Sequence, residues 1–458
     1  MAQTRKTITV LSVFYLLTRL IFLARYPIFN DEAIYLRYAW VMTHVPRQLW
    51  YSLSDSGKQP LLYWLYGLSW QVIHNPLLGG RLVSVFIGLT TVWAVCLLGG
   101  WTAGILFITA PLFVFFDRLA LVDSALAALF AWLLVLLMKL EKRRAIRIAI
   151  LAGILVGISF WIKSTGIIFC IIAILALARF SFRAILSFIG TVCVIIFPLV
   201  LRPESIRIFE MAHEYTYTMH ELIGVHFVNV WGNLINTVFV YVGYISPLIF
   251  GAAFLRKKNF LFFAWVFSIA FVVVFGRSVH GRYVLFTAIP MIILASTWLA
   301  KHKAFLYITM GSMTFLSAIL VVDSPNFFYL FPQWMVFRTE SWQYVDGWPS
   351  GYGVKEALNA IDADRRGERA LVAVRWDSGN PEDAMFVYTK ENTEVTTKYL
   401  DPRLPDDARE VLTASAHGRV YFVTRQGQYN GFERYLIPLA QFPKPGGKEK
   451  VELFRVRI

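Results

Sequence analysis

Long apolar runs alternate with short polar breaks from the N-terminus to about Val322, where the pattern stops. The runs reach roughly 17 to 20 residues, the length a helix needs to cross a hydrocarbon core of about 30 Å. They lie at 7–24, 81–98, 102–116 and 124–140, twice between Arg147 and Arg179, and then at 184–201, 233–254, 259–275, 283–299 and 303–322. About eleven spans are therefore predicted. The stretch Pro60 to His74 is shorter, opens with proline and is interrupted by Tyr, Trp, Ser, Gln and His, so it is predicted to lie along the outer interface. Beyond Val322 the pattern changes to helices and strands of a water-soluble kind. A turn at Trp348–Val354 leads into a predicted helix at 354–363, with glycines suited to close backbone approach. Strands are predicted at 370–375, 419–424 and 451–456, with a helix at 381–389. The expected architecture is a polytopic α-helical membrane domain, 1–322, followed by a small extracytoplasmic α/β domain, 323–458.

Composition supports the membrane class: 57% of the residues are hydrophobic and only 16% charged, which excludes an ordinary water-soluble enzyme. The formal charge of +15 does not point to nucleic acid, because the basic residues form short clusters between apolar runs rather than one continuous face. These clusters are Arg5 and Lys6, Lys139 to Arg147, Arg179 and Arg183, Arg256-Lys257-Lys258, and Lys301-His302-Lys303. The positive-inside rule assigns them to the cytoplasm, which puts the N-terminus inside and the tail outside a cell membrane. Arg19 interrupts the first apolar run and no small-x-small site follows, so that run reads as a span rather than a cleaved leader. Cys96, Cys170 and Cys193 all lie inside apolar runs, which leaves no disulfide framework and no Cys/His zinc spacing.

This topology collects the chemistry on the outer face, above all in the loops 25–80 and 202–231. Asp31-Glu32 follows directly on the first span, where carboxylates are most often functional. With Asn30 as N-cap of a helix to Met42, Asp31, Tyr35 and Tyr38 share one face. Arg25, Arg37, Arg47, Lys58, Arg81, Arg118, Lys163, Arg202, Arg207, Arg277 and Arg282 are many cations for an outer side. A phosphate on a lipid carrier would account for them, as would solvated rim charge. Arg118 is expected to pair with Asp117 or with Glu32, whereas Asp123 has no cation near it in the chain. His213-Glu214, His220-Glu221 and His226 suggest an amphipathic lid helix with His213 and His220 on one face, rather than a zinc site. The aromatic stretch from Phe327 to Trp348 reads as packing and interfacial residues, or as an acceptor groove.

Asp31-Glu32, Lys58-Gln-Pro-Leu-Leu-Tyr-Trp64, Arg118-Leu-Ala-Leu-Val-Asp123, Lys163-Ser-Thr-Gly166 and Gly281-Arg282-Tyr283 through Pro290 together resemble the GT-C glycosyltransferases. Within that class they resemble the protein O-mannosyltransferase and aminoarabinose transferase branch. The resemblance covers about 320 residues and rests on the order of short motifs. It implies an inverting glycosyltransferase that uses a polyprenyl-phosphate sugar. Asp31 would be the general base, Glu32 a loop-positioning residue acting through Arg118, and Asp123 a second acidic position near the acceptor. Lys58, Arg282 and, more weakly, Lys163 would contact the donor phosphate, with Tyr35 and Tyr283 in support. The acceptor would be a protein, lipid or glycan. In the aminoarabinose branch an acidic residue precedes the lysine and helps hold a metal; here Gly57 stands in that place, which argues against a divalent metal. An oligosaccharide transferase or polymerase is the nearest enzymatic alternative. A transporter would call for mid-span charges in two similar halves, which the chain lacks, and a passive anchor would leave the outer charges without a purpose.

Overall fold

The computed structural model describes residues 2–223, 227–256, 260–376, 379–401, 404–429 and 432–457. His226 and the basic pair Lys257-Lys258 lie outside the described residues. The chain divides into two compact units. The first comprises Met1–Leu23, Met42–Leu65 and Arg81–Val322; the second comprises Ala24–Val41, Tyr66–Gly80 and Asp323–Ile458.

The first unit is a helix bundle. Pro76–Thr109, Phe182–Val200 and Lys303–Val322 are each long and apolar enough to cross a membrane. The predicted break between 81–98 and 102–116 is present: within Pro76–Thr109 two helices meet at a kink at Gly100, whose backbone is non-helical with φ +68°, a value that glycine adopts readily. A second break follows where Pro111 opens the next helix, Pro111–Phe116. The expected span 233–254 is instead two helices, Phe227–Tyr244 and Pro247–Ala253, bent by 119°. Pro247 disfavours helix at the residue before it, and the Ser246 hydroxyl caps the new helix by accepting from the Leu248 N–H at 3.2 Å. Bundle packing uses small residues: Gly153 and Gly157 on Ala145–Phe160 lie against Thr191 and Ile195 of Phe182–Val200, where a side chain would not fit. Asp123–Met138 is buried along most of its length, and its Phe130 packs with Phe169 and Phe286.

In the second unit a five-stranded sheet has strands β1 Ala370–Arg375, β2 Val395–Leu400, β3 Arg419–Arg425, β4 Leu436–Pro443 and β5 Lys450–Val456, in the order β2-β1-β3-β5-β4. β1 runs parallel to β2 and β3, with Glu382–Thr389 and Pro405–His417 as the connecting helices, while β5 is antiparallel to both β3 and β4. Ala373, Leu400, Val411, Val420, Phe422, Phe432, Phe454 and Val456 form a core on one side of it. The aromatic stretch after Val322 supplies packing, with Phe327, Phe328, Phe337 and Tyr344 buried.

Candidate functional site

Four of the residues singled out above meet in the first unit. Asp123 is the first residue of its helix, where a carboxylate is favoured by the unpaired N–H groups, and it is only 5% exposed. The tight turn between Ala145–Phe160 and Gly166–Leu177 brings Lys163 to it: Nζ lies 3.0 Å from Oδ1 of Asp123. That ammonium also sits over the Tyr283 ring, 4.9 Å from its centroid, and Arg282 donates to the Tyr283 hydroxyl at 3.4 Å with its guanidinium 5.1 Å from the same ring. Arg282 and Tyr283 come from the single turn Gly281–Val284. Asp123 thus has a cation partner that its sequence neighbourhood does not supply, and the Lys163 side chain keeps 30% of its surface open. Two cations bridged by a phenol suit a divalent anion.

Lys58 follows a short helix, Tyr51–Ser56, that is closed by Gly57 in the left-handed region. The Gly57 N–H reaches the Leu53 carbonyl at 3.0 Å and the Lys58 N–H reaches Ser52 at 3.1 Å, a helix stop that fixes where Lys58 leaves the chain. Downstream, the Leu61 N–H donates to the Trp161 carbonyl at 3.2 Å, which ties this loop to the turn carrying Lys163. Trp50, Trp64 and Trp161 pack with ring centroids 5.3 to 5.9 Å apart, and Arg202 lies 5.0 Å from the Trp50 ring. Three tryptophans from three segments share no spacing that sequence reading could have caught.

Gly57 also bears on the metal. A side chain there would fall on the backbone carbonyl of Arg207 and would have to adopt φ +66°. The acidic residue of the aminoarabinose branch has no room in this position, so the residues present do not fit that metal arrangement. Nor do His213 and His220 share a helix face as expected. The helix Ile206–Tyr215 ends where Thr216 pairs with Gly276, and a new one starts at Met219. Glu221 is occupied: it caps Thr218 and pairs with Arg277 at 2.6 Å, and the Thr218 N–H, then Arg277, hold its carboxyl down to about 2. Among the described residues no group of three His, Cys, Asp or Glu side chains could hold a metal.

Asp117 and Arg118 do not pair with each other. Asp117 is sealed in the bundle, 3.6 Å from the Arg19 guanidinium, and accepts from the Tyr15 hydroxyl at 3.1 Å and the Ser124 hydroxyl at 3.0 Å. Arg19, the charge that interrupts the first apolar run, also donates to the Ile108 carbonyl at 2.7 Å. Arg118 donates to the Ile21 carbonyl at 2.8 Å, and Arg81 to Leu23 at 2.8 Å.

Asp31, Glu32 and Tyr35 belong to the second unit, on the helix Asn30–His44. Asn30 is its first residue rather than its cap, with its N–H bonded to the Pro349 carbonyl at 2.9 Å. Glu32 is fully buried and accepts from the Phe29 N–H at 3.1 Å, which closes the first turn as a third-position glutamate does. Tyr35 and Tyr38 are buried, whereas Asp31 is partly exposed.

No family model matches the chain, and no curated protein sequence does either. Solved structures do. ArnT from Cupriavidus metallidurans in the apo state superposes with a TM-score of 0.60 at 14% identity, covering 99% of this chain and 98% of that one. The same protein bound to undecaprenyl phosphate gives a TM-score of 0.56 at 12% identity over the same shares. Sequence identity this low speaks for architecture alone: the protein has the GT-C glycosyltransferase fold, a membrane helix bundle with a small C-terminal α/β domain.

Proposed function

We propose that the protein is an inverting glycosyltransferase that moves a sugar from a polyprenyl-phosphate donor to an acceptor hydroxyl at the outer face of the membrane. The observation that carries this reading is the cluster of Lys163, Arg282 and Tyr283 around Asp123, with the Lys58 loop bonded to the same turn. The fold likeness to a protein bound to undecaprenyl phosphate supports a lipid phosphate as the anion.

In this mechanism the acceptor oxygen attacks C1 of the sugar from the side opposite the phosphate, the C1–O bond breaks, and the lipid phosphate leaves. Negative charge grows on that phosphate as the bond lengthens. Lys58, Arg282 and Lys163 act on it, and their attraction strengthens towards the transition state, which is the condition for acceleration. Asp123 orients Lys163. Asp31 takes the acceptor proton as the new bond forms, while Glu32 caps its helix and Tyr35 and Arg118 support the surrounding loops. The acceptor is a protein, lipid or glycan hydroxyl.

The test is a panel of polyprenyl-phosphate sugars, scored by which one raises the melting temperature of the purified protein and is then consumed. Asp31→Asn should lower transfer by at least about 100-fold while the donor still raises the melting temperature, and Lys58→Ala should weaken that donor effect. Wild-type turnover by Asp31→Asn would remove Asp31 from its role as base.

A further inference from the structure

The second unit gathers the residues around Asp31 and the C-terminal residues into one body. Its polar contacts concentrate at the start of the Asp31 helix. The Asn30 N–H donates to the Pro349 carbonyl at 2.9 Å, and the Asn380 amide donates to the carbonyls of Ile28 and Pro349 at 3.1 and 2.9 Å. Gly351 lies so close to the Ile28 carbonyl that a Cβ would overlap it. The Tyr26 hydroxyl donates to the Tyr344 carbonyl at 2.6 Å, and Phe29 packs on the Tyr344 ring. Further along the helix, Arg37 Nε lies 2.9 Å from Oδ1 of Asp383, with both side chains almost wholly buried. The Tyr399 hydroxyl donates to the same oxygen at 2.6 Å, and the rings of Tyr38, Trp376 and Tyr399 surround the guanidinium. Trp40 packs edge-on against Phe386.

These contacts reach the helix from the turn around Pro349 to Gly351, from Asn380, from the helix Glu382–Thr389 and from β2. Contacts that grip a helix at its first residue and again two turns later fix both its height and its rotation. A buried ion pair adds little net stability, but losing one partner strands a charge, so its best-attested use is to enforce one register between elements. Burial, and then the adjacent Asp383 carboxylate, raise the Tyr399 phenol well above its ordinary range, so it stays a hydrogen-bond donor to that carboxylate.

We propose that the C-terminal domain is a positioning element for the transfer reaction: it sets the place and rotation of the helix that presents Asp31, with Arg37 and Asp383 as the latch. The proposal rests on Asp31 being the base. Arg37, Asp383, Asn380 and Gly351 act through that helix as positioning residues and are not assigned contact with substrate.

The first measurement is native-state hydrogen exchange on the full-length wild type. Amides 33–41 should open together with those of β1 and β3; opening on their own, at a much faster rate, would overturn the proposal. The second measurement is kinetic. Asp383→Asn, and separately Gly351→Ala, should lower kcat per folded enzyme by about tenfold to 100-fold, as small misplacements of catalytic groups do, with the donor KM within about twofold. The double variant Arg37→Met/Asp383→Leu, which removes both charges, should recover part of the kcat lost in Asp383→Asn. An unchanged kcat in folded Asp383→Asn or Gly351→Ala would sink the idea, and a raised acceptor KM at constant kcat would assign the domain to acceptor binding instead. If the single variants fail to fold, the wild-type exchange result decides. Failure of the base assignment has a different signature, namely full turnover by Asp31→Asn with the exchange pattern intact.

Discussion

Asp117 and Asp123 stand at the two ends of one short turn, and their surroundings divide them sharply. Asp117 is 2% exposed, and Arg19, Tyr15 and Ser124 all engage its carboxylate from inside the bundle. Asp123 is equally screened from water but faces Lys163, whose side chain remains 30% exposed. A network of that first kind, sealed from water, holds helices in register and gives a ligand no access. A pair with an open cation can exchange part of its attraction for an arriving anion. Proximity in sequence and identical chemistry do not make two carboxylates equivalent; the solvent access of the partner does.

The largest effect is expected on the sealed side. Asp117→Ala strands the Arg19 guanidinium in the bundle and should cost about 3 to 5 kcal/mol, seen as loss of monodisperse protein on detergent extraction. A normal melting temperature for that variant would erase the distinction drawn between the two carboxylates. The open pair should respond in function rather than stability, and with opposite signs. Lys163→Met should weaken the donor's effect on melting temperature by about tenfold in concentration, or about 1.4 kcal/mol. Asp123→Asn removes negative charge beside the proposed phosphate, so it should hold or strengthen donor binding while turnover falls about tenfold through a misdirected Lys163. Equal weakening of donor binding in both variants would make the pair a mere strut.

The smallest effect, read as a slope per pH unit, concerns a buried cation held by carbonyls. Lys444 Nζ donates to the carbonyls of Gly347, Trp348 and Ser350, and burial pulls its ammonium from 10.5 down to about 7. Between those values the unfolded chain carries the proton and the folded chain has released it, so the unfolded state binds more protons and stability rises with pH. From about pH 7 to about pH 9.5 the wild type should gain up to about 1 kcal/mol per pH unit relative to Lys444→Met. Parallel melting curves across that range would show that Lys444 keeps its proton.

Much of this was legible in the chain because it depends on composition and period. The helix carrying Asp31 was expected from 30 to 42 and runs to His44; the strands at 370–375, 419–424 and 451–456 formed within a residue or two of their expected ends. The misses have physical causes. β2 reads Val-Thr-Thr-Lys-Tyr-Leu, polar because it is an edge strand with one side in water. β4 carries Pro438 and Pro443, which a central strand would not tolerate but the other edge of the sheet does, with a register shift between Pro438 and Ala440. The helix Pro405–His417, absent from the expected elements, did have a signal in the chain, with proline at its start and Asp406-Asp407 in its first turn. So did the glycines at 153 and 157, four residues apart on one helix face.

The amino-acid order alone determined that this is a membrane helix bundle with an α/β tail, because hydrophobic period and length are local properties that water and lipid enforce segment by segment. It also marked which charges needed explaining. Only the tertiary structure decided which charge answers which: Asp117 goes to Arg19 rather than Arg118, Asp123 to Lys163, and Arg37 to Asp383. Coulomb attraction and desolvation depend on distance and burial in space, and neither is written in the spacing of residues along the chain.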